Sequence, residues 1–386
     1  MTASLRIRAY NVEFGDAILI TIPDEDDAGN PKSRHLLIDV GNKNGKKGGN
    51  KVFVPVVDAI HEAIAPDGID LYVMTHEHLD HVEGLAEYVK THPALPFAIH
   101  RVWMTASAAP DYAARFPDAV REKKKKRSLY YALASLAAAQ GLDKTDDRIA
   151  ALLENNDPDM TDACVNFLRT LAPAQTHYVH RGMDVSALHP FRTAKLAIWA
   201  PEEDSTEYYA KKRKVPFSPL EELDEKVARK YGLERPIPLA GVDASAFYNL
   251  VERRELSLME GLFSIDKAAN DTSVVFCLEW KNRKLLFVGD AEQKSWKMMD
   301  ANNVLEPVEF LKVGHHGSHN ATPPNDLLEK ILPKARKGKA LLSTCVDGYN
   351  GVPDDATVKR IKSRATVKST ETVKPGKWID IEIDPG

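Results

Sequence analysis

The 386-residue chain reads as an α/β protein. Two observations predict that class. Short β-type runs alternate with stretches of helical periodicity, over residues 5–104 and again over residues 273–383, and several of those runs end in residues able to bind metal. With 43% apolar residues, the chain has material for one large core or two modest ones.

The elements follow in order. Leu5-Arg6-Ile7-Arg8-Ala9-Tyr10 alternates as a half-buried strand does, and Ala17 to Ile22 reads as a second strand. His35-Leu36-Leu37-Ile38-Asp39-Val40-Gly41 reads as a third, ending in Asp-x-Gly. A Gly/Lys/Asn loop over Lys43 to Asn50 enters a helix at Phe53-Val54-Pro55. Proline is tolerated in a first turn, and Phe53, Val56, Val57, Ile60 and Ile64 make one apolar stripe. Leu71-Tyr72-Val73-Met74 reads as a buried strand, and Phe97 to Met104 as another.

From about residue 107 to 171 the chain becomes alanine-rich and charged, with Leu129, Ala132, Leu133 and Leu136 at helical spacing, which predicts a helical insertion. Its basic block, Arg121 to Arg127, is either a solvated helix face or a site for phosphates. Tyr178-Val179 and Lys195 to Trp199 restore strand character. A second charged, helical insertion covers about 202–266, with Tyr208-Tyr209, Lys211 to Lys214 and the Glu221 to Arg229 run; its expected place is over the mouth of the site. Ser273 to Trp280, a turn at Lys281-Asn282-Arg283 and Lys284 to Val288 predict a hairpin ending in Gly289-Asp290. A helix from about Glu292, a strand over Val308 to Val313, strands at Leu341 to Cys345 and Trp378 to Ile383, and a helix near Thr357 to Ser363 complete the reading.

The stretch with the most chemistry is His76-Glu77-His78-Leu79-Asp80-His81, three imidazoles and two carboxylates directly after a strand. In an extended exit, residues two apart face the same way, so His76 and His78 can converge on one ion. Val82, Leu85, Ala86 and Val89 then have helical spacing, which puts Asp80 and His81 at a helix start, placed for a second ion. Asp80 alone could be an N-cap; four ligand-type side chains at this spacing ask for more than a cap.

The H-x-H-x-D-H spacing resembles the signature of the metallo-β-lactamase-fold hydrolases. Other segments resemble its ComEC/Rec2-like branch: Asn11-Val12-Glu13-Phe14-Gly15-Asp16, with Glu13 and Phe14 departing from the pattern, the strand ending in Asp39-Val40-Gly41, Asn270-Asp271-Thr272-Ser273, and Leu311-Lys312-Val313-Gly314-His315-His316-Gly317-Ser318. The resemblance implies a metallo-β-lactamase-like αββα sandwich, one domain over 1–386 carrying the two insertions. It implies that His76 and His78 hold one divalent ion, that Asp80, His81 and His315 hold a second, and that Asp290 bridges both. His315 is preferred to His316 because it stands nearer the strand end. Asp39 would orient the ligand loop through hydrogen bonds. Asp80, His316, Ser318, His319 and Lys312 are the expected catalytic groups, the last four for charge stabilisation or leaving-group protonation. Where many relatives carry a further histidine, this chain has Ala200-Pro201-Glu202-Glu203-Asp204. Three outcomes are open for the His76/His78 ion: that it is held more loosely, that a carboxylate or Asn270 is recruited, or that it is absent from the purified protein. Oxygen ligands would move preference from zinc towards manganese or magnesium.

The expected function is hydrolysis by metal-activated water with two ions, Zn or Mn, and with phosphodiesters, nucleic acid or a nucleotide, as substrate. A hydrolase of lactones, thioesters or phosphocholine esters is the first rival. A catalytically silent protein that uses the insertions to dock a partner is the second. The net charge of −4 and the pI near 6.4 argue against a protein that coats nucleic acid. No basic-then-apolar leader precedes Leu5, and no run approaches the ~20 apolar residues of a membrane span. Cys164, Cys277 and Cys345 are an odd, widely spaced set, read as small buried residues of a cytoplasmic protein.

Overall fold

The computed structural model describes residues 3–42, 49–209, 258–345 and 352–386. It is an α/β sandwich in which two mixed sheets face each other. The first sheet has the order β13-β1-β2-β3-β4-β5-β6, formed by β1 (Leu5–Tyr10), β2 (Ile18–Glu25), β3 (Pro31–Ile38), β4 (Leu71–Val73), β5 (Val102–Thr105), β6 (Thr176–Val179) and β13 (Trp378–Ile383). The second runs β12-β11-β10-β9-β8-β7, from β7 (Ala194–Ala200), β8 (Val275–Trp280), β9 (Arg283–Phe287), β10 (Phe310–Lys312), β11 (Gly338–Leu342) and β12 (Ala365–Ser369).

Side-chain period two explains the layering. Leu5, Ile7, Ile18, Ile20, Leu36, Ile38, Leu71 and Val73 turn inward and meet Phe276, Leu278, Leu285, Phe287 and Phe310 of the second sheet in one core. The alternate residues Leu19, Leu37 and Tyr72 face outward, where α1 (Phe53–Ile64) and α2 (Leu79–Thr91) cover them with Val56, Val57, Ile60, Val82 and Leu85. Leu286, Leu311 and Ala340 face the other way and pack under helices Gln293–Ala301, Asn325–Ile331 and Asp355–Lys362 through Trp296, Met299, Leu328 and Ile361. Strands that bury both faces read as continuous apolar runs, which is why so many were visible in the sequence.

Strand direction places the site. β3, β4 and β5 are parallel neighbours, with Leu36 beside Leu71 and Tyr72 beside Val102, so the residues following them emerge on one rim. β9, β10 and β11 are likewise parallel, with Phe310 beside both Leu285 and Lys339. The two rims are tied together: Val274 N–H donates to Thr75 O at 2.9 Å, Thr105 Oγ1 to Thr272 O at 2.7 Å and Ser343 Oγ to Gly15 O at 2.9 Å.

Two local expectations change. Only Val102–Thr105 of the expected 97–104 strand is ladder; before it the chain touches its neighbour in a single bridge, Ile69 with Ile99. β12 was not expected, because Thr366 and Lys368 of this edge strand face solvent and leave no apolar run to read. Within 107–171 the chain forms α3 (Tyr112–Arg115), α4 (Pro117–Gln140), α5 (Leu142–Thr145), α6 (Asp147–Asn155) and α7 (Pro158–Arg169). Leu129, Leu133 and Ala137 of α4 join Ile149, Leu152 and Leu153 of α6 and Leu258 and Leu262 in a satellite core. Residues 210–257 of the second insertion, with its Lys211 to Lys214 and Glu221 to Arg229 runs, and residues 43–48 of the Lys43 to Asn50 loop lie outside the described residues. No described helix is long and apolar enough to cross a membrane.

His189, between β6 and β7, carries a pH dependence. Burial and the charge of Arg101 lower its pKa to about 4 against the pull of Asp24, and Nδ1 accepts the Phe191 N–H at 3.2 Å, which favours the neutral ring. A histidine with a depressed folded-state pKa binds its proton more readily when unfolded. Its contribution therefore destabilises the fold as pH falls from about 6.5 to about 4, by less than about 1.4 kcal/mol per pH unit because the ring keeps some solvent. His189→Gln is expected to flatten urea-midpoint stability against pH in that window and to leave it unchanged above pH 7; an equal slope in both proteins would refute the assignment.

Candidate metal centre

The ligand-type residues gather at the shared rim. His76 and His78 lie in the exit from β4, and His78 is the extended N-cap residue of α2, with φ −120° and ψ 149°. Asp80 and His81 occupy the first turn of α2, so the helix start aims both side chains into the rim. Three loops knit together behind them: Asp16 N–H donates to Asp80 O at 3.2 Å, Gly41 N–H to Asp16 O at 3.0 Å and Val40 N–H to His81 O at 3.1 Å. Gly41 is needed for that approach, since a Cβ there would stand 2.3 Å from Asp80 C and His81 N. Gly41→Ala is expected to cost about 1–3 kcal/mol by overpacking. Because it pushes on backbone rather than on a flexible side chain, it should also weaken metal uptake by about 10–100-fold, read by competition with a fluorescent chelator.

The carboxylates and imidazoles are then close enough to share an ion. Asp80, His81, Asp290 and His316 each offer a ligand atom, all within 4.8 Å of one another, and all four residues are buried. His316 Nε2 lies 3.2 Å from Asp80 Oδ2 and 3.5 Å from Asp290 Oδ2; His81 Nε2 lies 3.3 Å from Asp290 Oδ2 and 3.8 Å from Asp80 Oδ2. Ligands about 2.1 Å from a tetrahedral cation are separated by about 3.4 Å, so these spacings are compatible with a coordination shell. Asp80 Oδ1 and His81 Nε2 are buried without a hydrogen-bond partner in the protein. Such orphaned atoms are costly unless something satisfies them.

His76 and His78 form a second pair beside these four. His76 Nε2 lies 3.0 Å from His78 Nδ1, and the His76 ring centroid lies 4.2 Å from that of His81. Thr75 Oγ1 gives its proton to Asp39 Oδ2 at 2.6 Å, so at 3.1 Å it accepts from His76 Nδ1 and leaves Nε2 bare. Asn156 Oδ1 accepts from His78 Nε2 at 3.0 Å, which leaves Nδ1 bare in the neutral ring. A proton on either ring makes this contact a hydrogen bond, and the same two nitrogens could ligate a cation in its place. Burial, then the charges of His81 and His78, hold the His76 pKa well below the usual histidine range.

Electrostatics point the same way. Burial opposes the charged form of His81, yet Asp290, Asp80 and Asp39 together raise its pKa well above normal. Burial likewise opposes ionisation of Asp290, and His81, His316 and Lys312 overcome it, holding that carboxyl well below the usual range. The cluster thus keeps its carboxylates ionised and demands positive charge, which protons supply here and which a divalent ion can supply in their place. Asp39 sits behind it: Oδ2 accepts from His81 Nδ1 at 2.8 Å, and Oδ1 accepts the Thr75 N–H at 2.8 Å. The bond to Nδ1 turns the other ring nitrogen of His81 towards Asp290.

No protein-family model matches the chain, and no curated protein is similar to it.

The geometry of the site corrects three assignments. His316, not His315, joins Asp80 and Asp290: both histidines have left-handed backbone, φ 45° and 52°, so the chain reverses within the pair and nearness to the strand end no longer predicts which ring points inward. Ser343 O, 2.9 Å from His316 Nδ1, anchors the inward ring. His315 instead lies near Ser318 Oγ at 3.3 Å and Glu292 Oε1 at 3.8 Å. Lys312 is 1% exposed and is paired with Asp16, with Nζ also 3.1 Å from Gly289 O and 3.4 Å from Asp290 Oδ1, so its ammonium is committed to the carboxylates behind the cluster. His319, with a side chain 77% exposed, stands beside Asp354 on the surface.

Glu202 and Glu203 are engaged by Arg181 and Arg115, and Asp204 caps Thr206, so the acidic Pro201–Asp204 segment does not join His76 and His78. His177, His180 and His189 also lie outside the group of four. The residues that sequence reasoning missed come from α6 and its end. Asn155 Oδ1 accepts the Asp80 N–H at 3.0 Å, and Asn156, which holds His78, also donates Nδ2 to Asp266 Oδ1 at 3.0 Å. A pair of asparagines in a helical insertion carries no spacing that would have announced this. Asp16 did carry a signal, as the last residue of the Asn11 to Asp16 segment.

Proposed function

We propose that this protein is a metal-dependent phosphodiester hydrolase of the metallo-β-lactamase fold, resembling the ComEC/Rec2-like branch, with two divalent ions, Zn or Mn, as resident cofactors. The observation that carries the reading is the convergence of the contiguous His76, His78, Asp80 and His81 with the remote Asp290 and His316 on one buried rim with atoms at ligand spacing. Asp80, His81 and His316 would hold one ion and His76 and His78 the other, with Asp290 between them. When bound, such ions lower the pKa of water towards 7 and neutralise charge on a phosphate oxygen.

The protein's own groups supply the rest. Asp39 and Ser343 O fix the rings of His81 and His316, and Asn156 fixes His78, so little reorganisation is needed when substrate arrives. Lys312 and the His315 N–H, 3.1 Å from Asp290 Oδ1, hold the Asp290 carboxylate in place. His315 keeps 17% of its side chain exposed while its neighbour is sealed, and Ser318 steadies it. On this reading it would be the group that protonates a leaving oxygen. The three cysteines are buried and form no disulfide, which fits a cytoplasmic location.

The test is metal analysis of the purified chain together with hydrolysis of bis-p-nitrophenyl phosphate and single-stranded DNA against a lactone panel, each with Mn²⁺ or Zn²⁺. About two ions per chain and turnover of a phosphodiester are expected. Turnover confined to lactones would replace the substrate class, and failure to take up metal would end the proposal.

A further inference from the structure

A cavity of about 310 Å³ opens beside the metal centre, reaching His78 and Asn156 at its inner end and passing between α3, α4 and α7. We infer that it is a nucleoside subsite, holding the base and sugar of a mononucleotide ester whose scissile phosphate lies at the His78 end. This rests on the hydrolase reading above and adds the substrate class to it.

Charge is the first argument. Lys123, Lys124, Lys126 and Arg127 of α4 line the cavity against two acids, Glu77 and Asp162. Lys123 is spent on Glu77, Arg127 on Asp159 and Asp162, and Lys126 on Ser264 O and Oγ at 2.7 Å each. Lys124 is exposed and has no ion-pair partner among the described residues, so the cavity carries an uncommitted cation for an anionic ligand. The basic block of the sequence thus divides into structural lysines and one that faces a ligand.

Aromatic surface is the second argument. Tyr112, Tyr130 and Tyr209 line the same space. Tyr112 Oη donates to Ser205 Oγ at 2.8 Å and Tyr130 Oη to Leu153 O at 2.9 Å, and the Tyr209 hydroxyl bonds Thr272. With their polar ends occupied by the protein, the rings offer apolar surface suited to a flat heteroaromatic base. The volume lies at the low end of ligand pockets, enough for one nucleoside and not for a length of polymer.

The experiment compares two esters with the same leaving group, thymidine 5′-(p-nitrophenyl phosphate) and methyl p-nitrophenyl phosphate, in three proteins. Ala113→Trp places an indole at the exposed edge of the cavity, and Lys124→Glu reverses the free charge. The unaltered protein is expected to prefer the nucleoside ester by at least about tenfold in kcat/KM and Ala113→Trp to bring the ratio towards one, while Lys124→Glu, which faces the same anionic phosphate in both esters, lowers kcat/KM for both. Equal kcat/KM for the two esters, or a preference that Ala113→Trp keeps, overturns the subsite. If neither ester turns over, the hydrolase reading fails by itself, and calorimetric titration with thymidine 5′-monophosphate decides the cavity: binding that both variants weaken supports it, and no binding to the unaltered protein overturns it.

Discussion

Asp290→Asn is expected to leave the chain folded and, on the metal-centre proposal, to lower metal content by one ion per molecule. Asparagine keeps the shape of the side chain, and Lys312 keeps Asp16 as its partner, so thermal unfolding should move by only a few degrees. Metal binding responds differently, because Asp290 is the carboxylate that His81 Nε2 approaches at 3.3 Å and His316 Nε2 at 3.5 Å. A neutral amide there turns a donor group towards the cation and removes the charge that stabilises it. Several kcal/mol of electrostatic stabilisation disappear, so phosphodiester turnover should fall by at least about a thousandfold. Elemental analysis of protein dialysed against Zn²⁺ or Mn²⁺, alongside bis-p-nitrophenyl phosphate hydrolysis, reads both effects. Full metal content with near-normal turnover would remove Asp290 from the centre and with it the bridging role.

Lys312→Met acts on stability before chemistry. The ammonium is paired with Asp16, lies 3.4 Å from Asp290 Oδ1, and none of the three residues is more than 1% exposed. Burial works against the charge on Lys312, yet Asp16 and then Asp290 raise its pKa. Removing it strands two buried carboxylates, an effect of about 3–5 kcal/mol. Adding Asp16→Asn should recover part of the loss, because one of the stranded charges is gone. Urea midpoints for the two single variants and the double variant form the cycle. A Lys312→Met protein as stable as the parent, or a double variant that loses the sum of the two single losses, would show that this buried pair is not coupled.

The two variants separate roles that look alike in sequence. Both residues sit at or within a few residues of a strand end, Asp290 after β9 and Lys312 at the end of β10. Asp290 carries atoms at ligand spacing; Lys312 neutralises the carboxylates behind it. Only burial and partner geometry tell them apart.

What the chain by itself determined is whatever depends on neighbours in sequence. Alternation along Leu5 to Tyr10 and the apolar runs at Leu36 to Ile38 and Leu285 to Phe287 announce strands, because side-chain direction repeats every two residues. The same local rule put His76 beside His78 at a strand exit, and helical spacing put Asp80 and His81 in the first turn of α2. Tertiary structure decided the rest. His316 replaced His315 because two successive left-handed residues reverse the chain after β10, and that backbone choice is stabilised from outside by Ser343 of the next strand loop. Lys312 turned out to be a buried counter-charge because Asp16, 296 residues earlier, comes to rest against it. Asn155 and Asn156 entered the site because α6 packs over the ligand loop, a contact between segments more than 70 residues apart that no short spacing can encode.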